Sequence, residues 1–255
     1  LVKPQWAWND EGVKKVRTLM LPALFGVSVT QINLLLNQVI ASFLVTGSIT
    51  WLYYSDRLIE FPLGIFGIAI STVVLPTLSK IAKQKALNET ARQAQFQTTM
   101  DWGVRMVLLL GIPAMIGIAT LAQPMMMTLF MRGKFGLSDV IASSHSLWIM
   151  CLGLNSYMLI SILANGFYAN QNTKTPVKIG LIATACNMCF GLLAIPFGYL
   201  GLAMASALSA AVNASLLYRQ LSKQGIYHIS RKTIFFILKV AIAALVMGGL
   251  VNYFS

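Results

Sequence analysis

Seven continuous apolar runs, each of about twenty residues or more, constrain the fold of this chain more than any other feature. About 20 consecutive apolar residues in a helix cross the hydrocarbon core of a bilayer. The strands of membrane barrels instead alternate apolar and polar residues with a period of two. These runs do not alternate, so they predict an all-α, polytopic membrane helical bundle. We place the spans at roughly 18–45, 49–78, 101–122, 139–168, 176–195, 200–218 and 233–254, with a Met-rich amphipathic stretch at 124–131.

The composition excludes an ordinary soluble domain. Hydrophobic residues make up 57% of the 255 residues and charged residues 10%, whereas soluble domains carry about 25% charge. A soluble protein of this composition would expose large apolar patches and aggregate.

The positive charges follow the predicted topology. The net charge is +12, with 19 Lys and Arg against seven Asp and Glu. If the spans alternate in direction, 14 of these cations fall on one side, two on the other and three within spans. The cation-rich segments are 1–17, 79–100, 170–178 and 219–232. This distribution predicts a cytoplasmic amino-terminal end, and it argues against nucleic-acid binding, which needs a basic patch.

Asp56, Arg57 and Glu60 form a charged cluster at the start of the second span. Charge within a span is costly, so it usually faces a bundle interior or water. One interpretation places Arg57 on a water-filled cavity, where its guanidinium binds an anionic substrate and Glu60 or Asp56 orients it. The alternative is a structural ion pair near the membrane interface, with Arg57 extending toward water.

Pro62 follows this cluster directly, and we predict that it is a hinge, because proline kinks helices and frees backbone carbonyls. Pro22, Pro76 and Pro113 also lie in or near spans, where proline is common without a special role. Asp101 and Arg105, spaced i,i+4, predict a local salt bridge at the cytoplasmic end of the third span.

No residue pattern indicates covalent chemistry. Cys186 and Cys189 match C-x-x-C but lack the βαβ context of redox proteins. His145 and His228 have no ligand spacing to a partner. The sequence therefore predicts a protein that is not an enzyme and that has no cofactor or metal site.

Five segments of the chain carry a recognisable sequence pattern. They are GVSVTQINLLLNQVIASFL (26–44), WLYYSDRLIEFPLGIFGIAISTVVLPTLSK (51–80), RGKF (132–135), GFYANQNTKTPVKI (166–179) and VNASLLYRQLSKQ (212–224). These segments resemble the MurJ/MviN family of lipid II flippases; they occur in the family's order, and the resemblance extends over nearly the whole chain.

The resemblance implies the carboxy-terminal lobe of a MOP-type, MATE-like transporter, running from helix seven to helix thirteen of fourteen. It divides the chain into an initial cytoplasmic segment (1–17), a six-helix lobe (18–222) and a loop with one additional helix (223–255). The amino-terminal lobe and the last helix would then be absent, which agrees with two ends that look cut.

By the same resemblance the function would be translocation of lipid II, the undecaprenyl-diphosphate-linked peptidoglycan precursor, across the bacterial inner membrane by alternating access. Arg57 matches a cavity arginine of the family and would contact the diphosphate, with Asp56 before it and Glu60 orienting it. Membrane lipids and other cell-wall synthesis proteins are the expected partners. Some family members are thought to hold sodium through acidic residues, but spans 18–45 and 176–195 contain no Asp or Glu, so we predict no sodium site.

Two other functions stay open at this point. The first is a flippase or exporter of another MOP type, for a polyprenyl-linked oligosaccharide or a drug. The second is a membrane scaffold or membrane-embedded transferase, although a transferase would need a His, Asp or Cys cluster at a membrane face.

Overall fold

A computed structural model of the chain describes residues 10–84 and 88–254, with the backbone alone at several positions between 12 and 30. The first nine residues of the predicted initial segment and the side chain of Pro22 lie outside this description. The helices are α1 (Glu11–Ser42), α2 (Ser48–Pro62), α3 (Ala69–Lys83), α4 (Glu89–Thr120), α5 (Ala122–Phe130), α6 (Leu137–Ala169), α7 (Lys174–Leu193), α8 (Gly198–Lys223) and α9 (Arg231–Phe254).

The predicted all-α membrane bundle is confirmed. Six stretches of the described residues are helical, long enough and apolar enough to cross a membrane, beginning with Ser48–Lys83. The first predicted span falls on α1, a helix of 32 residues that precedes them. The Met-rich stretch forms the short α5 between two long helices, as its amphipathic pattern indicates.

Helices α2 and α3 are joined by a π-helical turn, Leu63–Ile68. Pro62 has no backbone N–H, so it cannot make the regular helical hydrogen bond. The next amide, of Leu63, is shared between the carbonyls of Glu60 and Ile59. The chain stays helical from Ser48 to Lys83. The hydrogen bond that Pro62 cannot make is accommodated by a wider, π-helical turn rather than by a break in the helix.

Helix α6 forms the centre of the bundle and packs against α8, α4, α2 and α3. Leu147, Leu154 and Met158 on this helix are fully buried. A Cβ at position 153 would lie 3.0 Å from the Cα of Ala207. Gly153 therefore allows α6 and α8 to approach closely, as small residues do at helix interfaces in membrane proteins.

A ring of five helices surrounds the main cavity. Helix α1 packs chiefly on α7, α7 on α8, α8 on α6, and α6 on α2, while α1 touches α2 more sparsely. Helix α9 packs on α4, away from this ring. The division into a six-helix lobe and an additional helix stays a prediction.

Candidate functional site

Arg57 is held in a defined geometry at the surface of the lobe. Its Nη1 donates to Oε2 of Glu60 at 2.6 Å, and its Cζ lies 4.8 Å from the centre of the Tyr53 ring. Tyr53, Arg57 and Glu60 lie on one side of α2, since residues three or four positions apart on a helix are neighbours. The side chains of Arg57 and Glu60 are 51% and 49% exposed. About half of the Arg57 side chain is therefore accessible to an anion.

Asp56 lines a cavity inside the ring, together with Tyr53 and Glu60. Within the part of the chain that the structure describes, no hydrogen bond or ion pair engages its carboxylate. The sequence left open whether Glu60 or Asp56 orients Arg57, and the geometry assigns this contact to Glu60. The predicted substrate-binding role of the three residues stays a prediction.

The cavity has a volume of about 760 Å³. It is lined by α1, α2, α6, α7 and α8. The polar lining residues are Asn33, Asn37, Gln38, Tyr53, Asp56, Glu60, Tyr157, Tyr168, Thr184, Asn187, Ser206, Ser209 and Asn213. Arg57 is not among the lining residues, and the described lining contains no Lys, Arg or His. The cavity thus combines apolar side chains with several amides and the unpaired carboxylate of Asp56. The second lining carboxylate, Glu60, is paired with Arg57 at the edge of the cavity.

The segment of α2 that carries this site is fixed at its beginning. Trp51 Nε1 donates to Asp139 of α6 at 2.8 Å, and Asp139 also accepts from the amide of Gly136 at 2.9 Å. One turn further on, the Ser55 hydroxyl donates to the carbonyl of Ser143 at 2.8 Å. These contacts lock the first two turns of α2 to α6.

An aromatic cluster extends this attachment toward Arg57. Tyr54 stacks on Phe130 with ring centres 4.4 Å apart, and Phe135 of the RGKF segment meets Tyr54 edge-on at 5.1 Å. Tyr53 in turn contacts Tyr54 at 5.7 Å. Sequence reasoning missed these contacts, although the run of aromatic residues just before Asp56 is a visible signal.

Pro62 and the π-helical turn lie just beyond the charged cluster. Pro62 is buried, and Leu63, the first residue of the turn, lines the cavity. π-helical turns inside α-helices often occur at functional sites. This placement is compatible with a bending point, and the hinge itself stays a prediction.

A second charged site lies at the opposite end of the bundle. The predicted salt bridge between Arg105 and Asp101 is present at 3.3 Å. Asp101 also accepts hydrogen bonds from Tyr227 at 2.7 Å, Ser230 at 2.6 Å and Thr233 at 3.0 Å. This network ties the segment before α9, and the first turn of α9, to α4.

Across residues 10–84 and 88–254 no group of three or more His, Cys, Asp and Glu is placed to hold a metal ion. Cys186 and Cys189 are free thiols, as is the buried Cys151.

Comparison with known proteins places the whole chain in one group. A family model described as "Lipid II flippase MurJ" matches residues 1–255. A protein of Haemophilus influenzae named "Probable lipid II flippase MurJ" is 65% identical over 254 residues, which are 100% of this chain and 50% of that protein. The chain thus spans about half the length of the curated relatives it matches.

Solved structures agree with this assignment. The inward closed conformation of a lipid II flippase MurJ covers 93% of this chain and 48% of its own, with a TM-score of 0.76 and 26% identity. An outward-facing multidrug resistance MATE family transporter of the MOP superfamily covers 92% of this chain and 52% of its own, with a TM-score of 0.66 and 17% identity. The second likeness shows the fold alone.

Proposed function

The chain belongs to the lipid II flippase MurJ family, and from this premise we propose that it forms the half of a flippase that contacts the diphosphate of lipid II through Arg57. The observation that carries the proposal is the half-exposed side chain of Arg57, whose guanidinium is held between Glu60 and Tyr53. A planar guanidinium pairs with phosphate oxygens through two parallel N–H donors. Glu60 and Tyr53 restrict its rotation and so lower the entropic cost of binding.

The proposed cycle is alternating access. The first two turns of α2 are attached to α6 through Trp51 and Ser55, while the π-helical turn after Pro62 interrupts the regular hydrogen-bond pattern. We propose that α2 and α3 bend relative to each other at this turn when the lobes rock, so that Arg57 faces first one leaflet and then the other. A membrane potential biases such a cycle, at about 2.3 kcal/mol per charge and 100 mV.

We further propose that the chain is not an enzyme and needs no cofactor or metal, because moving a lipid across the membrane requires no bond to form or break. Its place would be the bacterial inner membrane, with the amino-terminal end of this chain cytoplasmic. Partners in cell-wall synthesis are proposed by analogy with the family alone.

The alternative is a transporter of another MOP type, for a different polyprenyl-linked oligosaccharide or for a drug. The fold is shared with a MATE transporter at 17% identity, and fold does not determine substrate. The match of the whole chain to the MurJ family favours lipid II.

Complementation of a cell depleted of its own lipid II flippase tests the proposal. Since the chain spans half of its relatives, residues 1–255 replace the matching half of the Haemophilus influenzae protein in a chimera. We expect the chimera to restore growth, and Arg57→Ala to abolish it at equal expression. Arg57→Lys keeps the charge but loses the paired donors, so we expect it to fail or to rescue weakly.

Arg92→Ala is the matched control, since Arg92 pairs with Glu89 at the same i,i+3 spacing, at 3.7 Å, and we expect it to restore growth. Growth with Arg57→Ala would overturn the assignment of the diphosphate contact. Failure of a well-expressed chimera that carries the native residues would overturn the choice of lipid II and favour the alternative transporter.

A further inference from the structure

The turn between α5 and α6 carries two cations that no residue neutralises in the described part of the chain. Arg132 and Lys134 are exposed, and their side chains make no ion pair or hydrogen bond there. Asp139, the nearest acidic residue in the sequence, accepts instead from Trp51 at 2.8 Å and from the amide of Gly136 at 2.9 Å. Both cations are therefore available to an anion from outside the chain.

These two cations are also unusual for their predicted side of the membrane. The loop-charge count assigns 14 cations to the cytoplasmic side and only Arg132 and Lys134 to the other. Loops that cross to the outside are generally poor in Lys and Arg. A pair of cations two positions apart in one short turn stands against this bias, which indicates a local role for the pair.

The turn that carries the pair has a defined conformation. The amide of Phe135 donates to the carbonyl of Arg132 at 3.2 Å, and Gly133 between them has a φ of 62°, which glycine adopts without strain. Phe130 and Phe135 flank the turn, and both contact the ring of Tyr54, with ring centres 4.4 and 5.1 Å apart. These contacts attach the turn to α2, so the two cations are presented at a fixed place.

The surface of α5 next to the turn is apolar and exposed. Met127, Leu129 and Met131 are all exposed, whereas Met126 is fully buried against the bundle. A short helix with an exposed apolar surface beside cations is typical of a segment that lies in the membrane interface. The anionic groups of that layer are the phosphates of lipids, which attract Lys and Arg near the membrane surface.

We propose that Arg132 and Lys134 form a binding site for the phosphate group of a membrane lipid, at the end of the bundle predicted to face away from the cytoplasm. An anionic phospholipid and a polyprenyl diphosphate both carry this chemistry. The second source is within reach of Arg57, because Tyr54 contacts Tyr53 at 5.7 Å and Tyr53 contacts Arg57. The site goes beyond the proposed function and does not depend on it, since paired cations attract either phosphate.

Site-specific photocrosslinking in lipid nanodiscs tests this proposal. A photoreactive amino acid replaces the exposed Met131 in the full-length chimera. The nanodiscs contain neutral phosphatidylcholine with either phosphatidylglycerol or undecaprenyl diphosphate at the same mole fraction, and mass spectrometry identifies the crosslinked lipid. We expect the anionic lipid to be enriched over its bulk proportion. Arg132→Gln and Lys134→Gln should each lower the enrichment about fivefold, the contribution of one cation at a membrane surface.

Phe197 provides the matched control position. It is exposed and lies in the short connection before α8, which is predicted to be on the same side of the membrane. The sequence from 179 to 218 contains no Lys or Arg. A photoreactive amino acid in place of Phe197 should therefore crosslink the lipids in their bulk proportions.

Enrichment of one anionic lipid at position 131 supports the site and identifies the source of the phosphate, and enrichment of both supports a site that takes either. Equal proportions of lipid at positions 131 and 197 would overturn the site. So would an enrichment that survives the removal of both cations. Because crosslinking at this turn depends neither on growth nor on Arg57, failure of this site is distinguishable from failure of the proposed function.

Discussion

Asp101 is the most thoroughly satisfied charge among the described residues. It accepts from three hydroxyl groups and pairs with Arg105, whose Nε also donates to Thr233 at 2.7 Å. An ionised group taken out of water is stabilised only when its hydrogen bonds are made and its charge is paired. Both conditions are met here. Burial and the hydrogen bond to Asp101 raise the pKa of the Tyr227 hydroxyl far above its usual range, so Tyr227 stays a donor.

We predict that Tyr227→Phe lowers the free energy of unfolding of the chimera by about 1–3 kcal/mol. The substitution removes one hydrogen-bond donor to Asp101 and leaves the aromatic ring in place. Because the folded-state pKa of Tyr227 is raised, its contribution is complete below the ordinary tyrosine pKa of about 10 and is lost as the pH rises above it. The loss of thermal stability in Tyr227→Phe relative to the unaltered chimera, measured in detergent, should therefore be the same at about pH 7 and about pH 9.

The control for this variant is Tyr218→Phe, because the Tyr218 hydroxyl only accepts a long bond of 3.4 Å from the amide of Ile229. A Tyr227→Phe protein as stable as the unaltered chimera would contradict the assigned role. So would an equal loss of stability in Tyr218→Phe.

The two charged sites also show what a sequence reveals about single residues. Asp56, Arg57 and Glu60 are recognisable because charge inside an apolar run is conspicuous. The sequence leaves open which carboxylate contacts Arg57, and the structure assigns the contact to Glu60. The salt bridge of Asp101 with Arg105 is predicted, but its hydroxyl partners are not, since Tyr227, Ser230 and Thr233 lie 126–132 positions away. Tertiary contacts between distant, ordinary hydroxyl residues leave no local pattern. For the same reason the cavity inside the helix ring could not be predicted.

At the scale of the helices, hydropathy located the spans well but misplaced some of their ends. The third span was predicted at 101–122, whereas α4 extends from Glu89 to Thr120, because a helix continues past the apolar core into polar sequence such as ETARQAQFQ. The π-helical turn was signalled only by Pro62. Its length depends on how the helix accommodates the missing N–H, which the sequence does not express.

Gly64, inside the π-helical turn, gives a test of the hinge. A Cβ at this position would meet nothing within 4 Å, so Gly64→Ala introduces no clash. Alanine restricts the backbone and should raise the free energy of unfolding by about 0.4–1 kcal/mol. If the turn bends during transport, the same variant should slow lipid II translocation, measured with fluorescent lipid II in vesicles that contain the chimera.

Gly249→Ala in α9 is the control for that comparison, because a Cβ there also meets nothing within 4 Å and the helix is remote from the turn. We expect it to stabilise the protein without slowing translocation. Equal translocation rates for Gly64→Ala and the unaltered chimera would rule out bending at this turn as part of the cycle.

At the scale of the whole molecule, we predict the topology from the asymmetry of loop charge along the sequence. The segment between α5 and α6 holds Arg132 and Lys134, the two loop cations predicted for its side, whereas the sequence assigns 14 to the other side. The segment before α9, which the Asp101 network holds in place, lies at the cation-rich end. If Lys and Arg are retained in the cytoplasm, this distribution predicts the direction of every span.

Cysteine labelling tests this orientation on the chimera. Cys151, Cys186 and Cys189 are first replaced by serine, as is any cysteine of the joined half, and single cysteines are introduced as Lys134→Cys or Lys223→Cys, both at exposed positions. A membrane-impermeant maleimide should label Lys134→Cys in cells whose outer membrane alone is permeabilised, because its loop is predicted to face away from the cytoplasm. It should label Lys223→Cys only after the inner membrane is opened as well. The reverse pattern would invert the topology, and with it the leaflet from which the proposed site first receives lipid II.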